Sequence, residues 1–296
     1  MLARRRFLQG MGLAVAALAA GGASAKSTKD GVQTLSQRLA EIERRAAGRL
    51  GVTLLDGSGQ VLGGQRQDER FPMCSTFKFL LAAAVLQRVD RGELALERRV
   101  PVRAADMVSH APVTERHVGG DLSVVELCRA TMIFSDNPAA NLLLPLVGDP
   151  PGLTRFLRAL GDTQTRSDRN EPTMNQFAMG DPRDTTTPAA MAATMRALLL
   201  GDALLPASRQ RMTGWLIDNR TGDDCLRAGL PPDWKIGDKT GSNGTDTRND
   251  IAIVWPPGRR APLLLTAYLN GAQVDSAARD AALKAVAVAV RETLAG

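Results

Sequence analysis

The sequence predicts an α+β fold, a two-lobed α/β sandwich in which the N- and C-terminal helices flank one antiparallel sheet and an all-helical lobe is inserted. Three observations predict it: strand-like apolar runs occur at both ends of the chain, amphipathic helical patterns lie beside them, and the long middle contains helical patterns. One sheet covered by the terminal helices is the simplest way to bury both sets of strands. The 296 residues, 44% of them hydrophobic, are enough for such a core.

The N-terminal part of the sheet is predicted from a helix and a hairpin. Leu35, Leu39, Ile42 and Ala46 recur at helical spacing. Two apolar runs, at 51–55 and 60–62, then flank the turn sequence Asp-Gly-Ser-Gly, which is typical of a β-hairpin connection.

The middle of the chain contains six helical patterns. Ser123 and Glu126 have the spacing of a capping box, and Pro188 after Thr187 suits the first turn of a helix. The segment 163–186 is polar and long enough to count as a functional loop. The six predicted helices cover residues 79–89, 123–134, 138–147, 153–160, 188–200 and 208–216.

The C-terminal part returns to strands, at 234–240, 250–254 and 263–269, and ends in a helix at 276–294. We therefore expect an α/β lobe made of residues 26–73 and 218–296, and a helical lobe at 74–217 that includes the loop 163–186. A cleft between two such lobes is the expected place for a site.

Residues 1–25 have the features of an export signal. Arg4, Arg5 and Arg6 precede an apolar stretch at 11–20, and Ala23-Ser24-Ala25 suits signal peptidase. The arginines resemble a twin-arginine signal, and an ordinary Sec signal is the alternative. Either signal predicts a periplasmic or secreted bacterial protein.

Charge and composition exclude several classes of protein. Removal of the signal lowers the net charge from +6 to +3, and aromatic residues make up 4% of the chain, so nucleic-acid binding is not expected. No segment is apolar for long enough to span a membrane. Three cysteines without C-x-x-C spacing and two histidines give no metal signature, and any disulfide among Cys74, Cys128 and Cys225 stays open.

Ser75 and Lys78 predict a nucleophilic centre. Three residues apart on a helix, a hydroxyl and an amine share one face. A buried lysine can lose its proton and act as a base, whereas an arginine cannot. The chain has 37 basic residues, of which only six are lysines, so lysine at this position suggests a chemical need for an amine.

Four short motifs follow one another along the chain: Ser75-Thr76-Phe77-Lys78, Ser135-Asp136-Asn137, Glu171 to Asn175, and Lys239-Thr240-Gly241. Together they resemble the motifs of class A serine β-lactamases, within the superfamily that also contains the penicillin-binding proteins. The intervals of 57, 36 and 68 residues between Lys78, Ser135, Glu171 and Lys239 also fit that family. The resemblance covers essentially the whole mature chain and implies hydrolysis of β-lactam antibiotics.

The resemblance implies a role for each catalytic residue. Ser75 attacks the lactam carbonyl, with either Lys78 or Glu171 as the base, and Ser135 passes a proton to the leaving nitrogen. Glu171 and Asn175 hold the water that hydrolyses the ester. The resemblance also nominates the backbone N–H groups of Ser75 and Ser242 as the oxyanion hole.

The remaining implied contacts concern the substrate. Asn137 donates to the substrate's side-chain amide, and Gly241 lets the strand approach closely. The substrate carboxylate is bound by cations and hydroxyls, and His110 occupies a position where the family often carries an aromatic residue that packs on the substrate. The implied substrate-binding residues are Asn137, Lys239, Thr240, Gly241, Ser242, Arg248 and His110.

The resemblance further implies an Arg169–Asp184 ion pair that closes the loop, and a cis bond between Glu171 and Pro172. It implies no cofactor, no metal, and a monomer with a small-molecule β-lactam as its partner. A D,D-peptidase of the penicillin-binding class and a non-hydrolytic β-lactam sensor are the alternatives, and the presence of Glu171 and Asn175 weighs against both. The substrate spectrum and the inhibitor sensitivity stay open.

Overall fold

The computed structural model describes residues 24–295, and their side chains from Leu35 onwards. The predicted export signal at 1–25 lies almost wholly outside the described residues. The described chain contains eight α-helices and nine strands. The helices are α1 Ser24–Ala46, α2 Phe77–Asp90, α3 Val124–Ile133, α4 Asn137–Leu143, α5 Asp149–Ala159, α6 Pro188–Leu199, α7 Pro206–Ile217 and α8 Ser276–Ala295. The strands are β1 Arg49–Asp56, β2 Val61–Gln65, β3 Phe71–Pro72, β4 Arg99–Pro101, β5 Asp121–Ser123, β6 Thr185–Thr186, β7 Lys235–Ser242, β8 Arg248–Trp255 and β9 Leu263–Asn270.

Five strands form one antiparallel sheet in the order β2-β1-β9-β8-β7, so strands from both ends of the chain do meet in one sheet. The pairing of β1 with β9 joins the two ends: Arg49 is opposite Asn270 and Asp56 is opposite Leu263. The predicted fold class is confirmed. β7, which carries the Lys239-Thr240-Gly241 motif, is an edge strand and faces the inserted segment.

The sheet has a hydrophobic core on each face. On the outer face, Leu39 of α1 and Leu283 of α8 are buried with Ala252 and Val254. On the inner face, Ile251 and the alternating residues of β8 and β9 pack with the helices of the inserted segment. Because side chains alternate along a strand, each central strand contributes to both cores.

The central helix of the inserted segment is α2. Its residues from Phe77 to Leu86 are all buried, and a helix that is apolar on every side needs neighbours on every side. α3, α4, α5 and α7 supply those neighbours. The first turn of α2, which carries Lys78, therefore has a fixed position, and the 3₁₀ turn Cys74–Thr76 just before it packs against β7.

The helix ends follow the local sequence signals. Ser123 and Glu126 form the predicted capping box at the start of α3, and Thr187 caps α6 with Pro188 in its first turn. The predicted helix at 138–147 is instead α4 followed by a 3₁₀ segment, Leu144–Val147, because Pro145 has no N–H to continue the α-helical ladder.

The predicted helical lobe, residues 74–217, is not helical throughout, because it contains β4, β5 and β6. β4 pairs with β5, and β6 pairs with β3, which lies just before this lobe; each pair is a two-stranded ribbon of two or three residues. Runs this short show no period-two pattern, so the sequence analysis did not predict them. The β3–β6 pair ties the end of the 163–186 loop to the residues that precede the nucleophile.

We expect Leu80→Ala to lower the free energy of unfolding by about 2–5 kcal/mol, because the substitution leaves a cavity in a fully buried position of α2. Leu205→Ala is the matched control at a position that is 55% exposed, and it should change stability by less than about 0.5 kcal/mol. Urea titrations of both variants measure the difference. Equal losses in the two variants would contradict the packing described for α2.

Candidate active site

Ser75 lies in a 3₁₀ turn, Cys74–Thr76, that leads directly into α2. Cys74 has a φ of 45°, and the Thr76 hydroxyl donates to the carbonyl of Met73 at 2.8 Å, so both features fix the shape of the turn. The neighbours of Ser75 are buried and Ser75 is only partly so. Ser75 is therefore the residue of this turn that a molecule from solvent can reach.

Lys78 extends from the first turn of α2 back to Ser75. Its Nζ lies 3.0 Å from Ser75 Oγ, as the three-residue spacing predicts, and 3.2 Å from Glu171 Oε1. The ammonium also donates to the Ser135 carbonyl at 2.7 Å and to Asn137 Oδ1 at 2.5 Å. One buried cation thus joins three separate segments of the chain.

Glu171 approaches Ser75 from the loop side. Its Oε1 accepts from Ser75 Oγ at 3.4 Å, and its Oε2 accepts from Asn175 Nδ2 at 2.6 Å. Asn175 belongs to a 3₁₀ turn, Thr173–Asn175, which brings residues four apart in sequence together. Asn175 Oδ1 is buried and has no hydrogen-bond partner within the described residues, so it can accept a hydrogen bond from a bound molecule.

Burial lowers the pKa of Lys78, and the Glu171 carboxylate opposes this effect. The pKa of Lys239 is lowered further, because burial is reinforced by the positive charge of Lys78. Two buried ammonium groups near each other disfavour one another's charge. The site thus makes loss of a lysine proton easier than it is in water.

Ser135 lies between the two lysines. Its Oγ accepts from Lys239 Nζ at 3.0 Å and from Lys78 Nζ at 3.4 Å. A serine hydroxyl can accept from one group while it donates to another. Asn137, two residues further on, uses one N–H to bind the Ser109 carbonyl and keeps a second N–H for another acceptor.

β7 lies directly against the nucleophile turn at Gly241. A Cβ atom at Gly241 would be 2.8 Å from the Met73 carbonyl and 3.2 Å from the backbone N of Ser75. The resemblance to the family implies that this glycine lets the strand approach the substrate closely. The structure shows in addition that the absence of a side chain lets the strand approach the turn that carries Ser75.

The other substrate-binding candidates on β7 differ in exposure. Lys239 is fully buried and Thr240 is 3% exposed, with its hydroxyl 2.5 Å from that of Thr221. Ser242 is more open, and its Oγ accepts from the N–H of Gly244, which leaves its proton free to donate. Among the substrate-binding candidates on β7, Ser242 is the most accessible to a ligand.

Arg248 begins β8 opposite Ser242 in the ladder. Its Nε donates to Asp280 Oδ1 at 2.5 Å, and its Nη2 donates to the Thr221 carbonyl at 3.3 Å. The side chain retains 18% exposure. The guanidinium is thus oriented by protein partners and still has donors for an anion.

His110 lies next to Asn137, whose backbone N–H donates to the His110 carbonyl. Its ring is exposed at the surface, and its Nε2 lies 2.9 Å from the Phe134 carbonyl. All twelve residues that the sequence analysis named are therefore in this one network or directly beside it.

Among the described side chains, no group of His, Cys, Asp or Glu is arranged to hold a metal ion. The three cysteines are free and buried, which answers the question that the sequence left open. Burial raises the pKa of the Cys74 thiol, so this neighbour of Ser75 is a poor nucleophile. Within residues 24–295, no helix has the length and apolar composition needed to cross a membrane.

The comparison with known proteins matches residues 34–294 to the β-lactamase enzyme family. β-Lactamase L2 of Stenotrophomonas maltophilia is 56% identical over 283 residues, which is 93% of each chain. A crystal structure of a β-lactamase from Xanthomonas campestris is 76% identical, with a TM-score of 0.88 over 89% of this chain and 98% of that chain. An ancestral class A β-lactamase is 59% identical, with a TM-score of 0.85 over 87% of this chain and 99% of that chain.

This chain is a class A β-lactamase. Its family explains why four short motifs, each common by chance, occur together at these intervals. The mixed fold of the β-lactamase brings all four to the inner edge of the sheet, where β7 meets the start of α2.

Two asparagines of the site were missed by the sequence analysis. Asn141 holds the Glu171 peptide from both sides: its Oδ1 accepts from the Glu171 N–H at 3.0 Å and its Nδ2 donates to the Glu171 carbonyl at 2.9 Å. Asn249 donates from Nδ2 to the carbonyls of Pro72 and Met73 at 2.8 and 3.0 Å. The available signal for Asn141 was its position one turn after Asn137, and for Asn249 a polar residue in a buried strand.

The ion pair that the resemblance implied between Arg169 and Asp184 is present. Asp184 Oδ2 accepts from Arg169 Nε at 2.6 Å, while Oδ1 accepts the backbone N–H groups of Asp168 and Arg169. The implied cis bond between Glu171 and Pro172 is also present. Asp184 is thus the centre of the base of the loop that carries Glu171.

We expect Asp184→Ala to lower the free energy of unfolding by about 3 kcal/mol, the lower end of the range for breaking a buried pair, because Arg169 keeps 18% exposure. Turnover should fall as well, since Glu171 loses its support. Asp181→Ala, which removes the partner of Arg183 on the surface of the same loop, is the matched control and should leave both quantities near the wild-type values. Thermal melts and turnover assays measure the pair. An unchanged melting temperature in Asp184→Ala would contradict this role.

Proposed function

We propose that this β-lactamase is an exported serine hydrolase that opens the β-lactam ring of penicillin- and cephalosporin-type antibiotics through an acyl-enzyme on Ser75, and so confers resistance. The position of Ser75 Oγ carries the proposal, at 3.0 Å from Lys78 Nζ and 3.4 Å from Glu171 Oε1. A hydroxyl between an amine and a carboxylate can be deprotonated and can later form an ester. The names of the similar proteins, all β-lactamases, support the substrate class.

In the acylation step, Ser75 Oγ forms a bond to the lactam carbonyl carbon and gives up its proton. Lys78 and Glu171 are both within reach of that proton. The lowered pKa of Lys78 increases its neutral fraction, and this fraction grows as the pH rises. Both routes end with the proton inside the same buried network.

The carbonyl oxygen becomes an oxyanion, which needs two N–H donors. The backbone N of Ser75 lies 3.2 Å from the Cβ position of Gly241, so the N–H of the next residue, Ser242, is a suitable second donor. When the C–N bond breaks, the nitrogen takes up a proton. Ser135 Oγ can pass it on, because both lysines are its hydrogen-bond partners and can restore its proton.

In the deacylation step, water attacks the ester carbonyl, the bond between the carbonyl carbon and Ser75 Oγ breaks, and Ser75 leaves as the hydroxyl once Glu171, 3.4 Å away, passes it the proton taken from the water. Glu171 accepts the proton of that water, and Asn175 Oδ1, buried without a partner among the described residues, accepts its second hydrogen. The clamp of Asn141 on the Glu171 peptide fixes the direction of the carboxylate. A D,D-peptidase or a β-lactam sensor would not need Glu171 and Asn175, because neither has to hydrolyse its acyl-enzyme rapidly.

The substrate carboxylate is bound at the end of β7. Ser242 and Arg248 provide direct hydrogen bonds, since both retain exposure. Lys239 is buried behind them and contributes its charge without direct contact. Asn137 donates its second N–H to the acylamino group of the substrate.

The arginines and the apolar stretch of the first 25 residues support export to the periplasm or the medium. One chain supplies every group that the reaction uses, so we infer a monomer. The steps above need no cofactor.

We expect Glu171→Gln to slow deacylation by about 10²- to 10⁴-fold, the contribution of a positioned general base, and to accumulate acyl-enzyme. With a chromogenic cephalosporin, the variant should release one equivalent of product in a burst, and intact-protein mass spectra should show the adduct. Glu115→Gln, at an exposed position, is the matched control and should turn over like the wild type. Rapid, complete turnover by Glu171→Gln would exclude the role of Glu171, and a burst without turnover in the wild type would identify a penicillin-binding protein or a sensor.

We expect Arg248→Gln to lower kcat/KM by about 10- to 100-fold for a substrate with a free carboxylate, because a hydrogen bond to a charged group is lost. The methyl ester of the same substrate should lose much less. Arg259→Gln, in the exposed turn between β8 and β9, should affect neither. Steady-state kinetics with both forms of the substrate measure the difference, and equal losses for acid and ester would contradict carboxylate binding by Arg248.

A further inference from the structure

The residues Ser109 and His110 are tied to the segment that carries Ser135 by three hydrogen bonds. Asn137 N–H donates to the His110 carbonyl at 3.0 Å, and Asn137 Nδ2 donates to the Ser109 carbonyl at 2.8 Å. The third bond joins His110 Nε2 to the carbonyl of Phe134 at 2.9 Å. Only the third bond depends on the side chain of residue 110.

The direction of this third bond follows from its partners. A carbonyl oxygen only accepts, so His110 Nε2 carries the hydrogen. The neutral ring with its proton on Nε2 and the doubly protonated ring both satisfy this requirement. The bond is therefore compatible with both charge states of the ring.

The carbonyl of Phe134 belongs to the peptide that leads into Ser135. Ser135 has a φ of 59°, in the left-handed region that a residue with a side chain seldom adopts. A backbone in this region persists only where its surroundings hold it. The His110 ring holds the peptide immediately before Ser135, and the Lys78 ammonium holds the carbonyl immediately after it.

His110 itself has a φ of 63°. The left-handed region costs free energy for any residue with a side chain, although histidine and asparagine tolerate it better than most. In this conformation the Nε2 edge of the ring faces the Phe134 carbonyl. An edge occupied by a carbonyl is not free to bind another molecule.

We propose that His110 is a positioning residue for Ser135, acting through the Phe134 carbonyl, and that this is its main contribution to the reaction. The proposal rests on the proposed function, in which Ser135 passes the proton to the leaving nitrogen. It differs from the sequence-based expectation, in which His110 contacts the substrate at the position of the family's aromatic residue. The affected step is acylation, because deacylation depends on Glu171 and Asn175.

The two interpretations of His110 differ in what they predict for variants. Glutamine places an N–H donor the same number of bonds from Cα as histidine Nε2, so His110→Gln can restore the bond. Asparagine tolerates the left-handed backbone but is one bond shorter, so His110→Asn keeps the backbone and loses the bond. His110→Ala loses the hydrogen bond and also the tolerance of the left-handed backbone.

The experiment measures kcat/KM, which covers the steps up to acylation, for two penicillin-type substrates, one with a bulky aromatic acylamino side chain and one with only a free amine there. We expect His110→Asn and His110→Ala to lose about 3- to 10-fold for both substrates, the effect of one hydrogen bond. His110→Gln should stay within about twofold of the wild type. His117→Ala, at an exposed position, is the matched control and should be unchanged.

Losses confined to the bulky substrate would overturn the proposal in favour of packing on the substrate. His110→Asn with full activity would show that only the backbone matters, and His110→Gln as poor as His110→Ala would exclude the hydrogen bond. Thermal melts separate these outcomes from a general loss of stability. The proposed function is tested separately: turnover by a Ser75→Ala variant would contradict it, whatever the His110 variants show.

Discussion

The buried ammonium of Lys78 is the interaction on which the site depends. A cation without water is stable only where hydrogen bonds and opposite charge surround it, and removal of one partner leaves a costly unpaired charge. Its partners come from three stretches of chain: Ser75 in the 3₁₀ turn that leads into α2, Ser135 and Asn137 after α3, and Glu171 in the long loop. Satisfying one charge therefore also sets the relative positions of nucleophile, proton relay and water-binding carboxylate.

The scaffold fixes that charge from two sides. α2 is buried along most of its length, so its first turn cannot shift without disturbing the inner core. On the other side β7 lies so close that a side chain at Gly241 would collide with the Met73 carbonyl. Asn249, in the next strand, donates to the same carbonyl. The sheet thus fixes the position of the turn that carries the Ser75 hydroxyl.

Much of this arrangement could be predicted from the sequence, because local rules and tertiary structure agree. Apolar periodicity predicts the terminal helices and the strands of the five-stranded sheet. The three-residue spacing of Ser75 and Lys78 predicts that their side chains are in contact. The resemblance to a family supplied Glu171, since no local rule brings residues 96 positions apart together. The short ribbons and the clamps of Asn141 and Asn249 depend on hydrogen bonds between distant segments, which leave no periodic signal. The contact of the His110 ring with the Phe134 carbonyl likewise joins residues 24 positions apart and leaves no periodic signal.

The native state of this protein contains three cysteines, Cys74, Cys128 and Cys225. Each is buried and none is bridged, so no covalent cross-link contributes to the stability of the native state. Packing, hydrogen bonds and ion pairs hold the chain, and none of these depends on the thiol–disulfide poise of the surroundings. A protein built in this way can complete its folding where glutathione keeps thiols reduced and then work in an oxidising compartment, with the same architecture in both places.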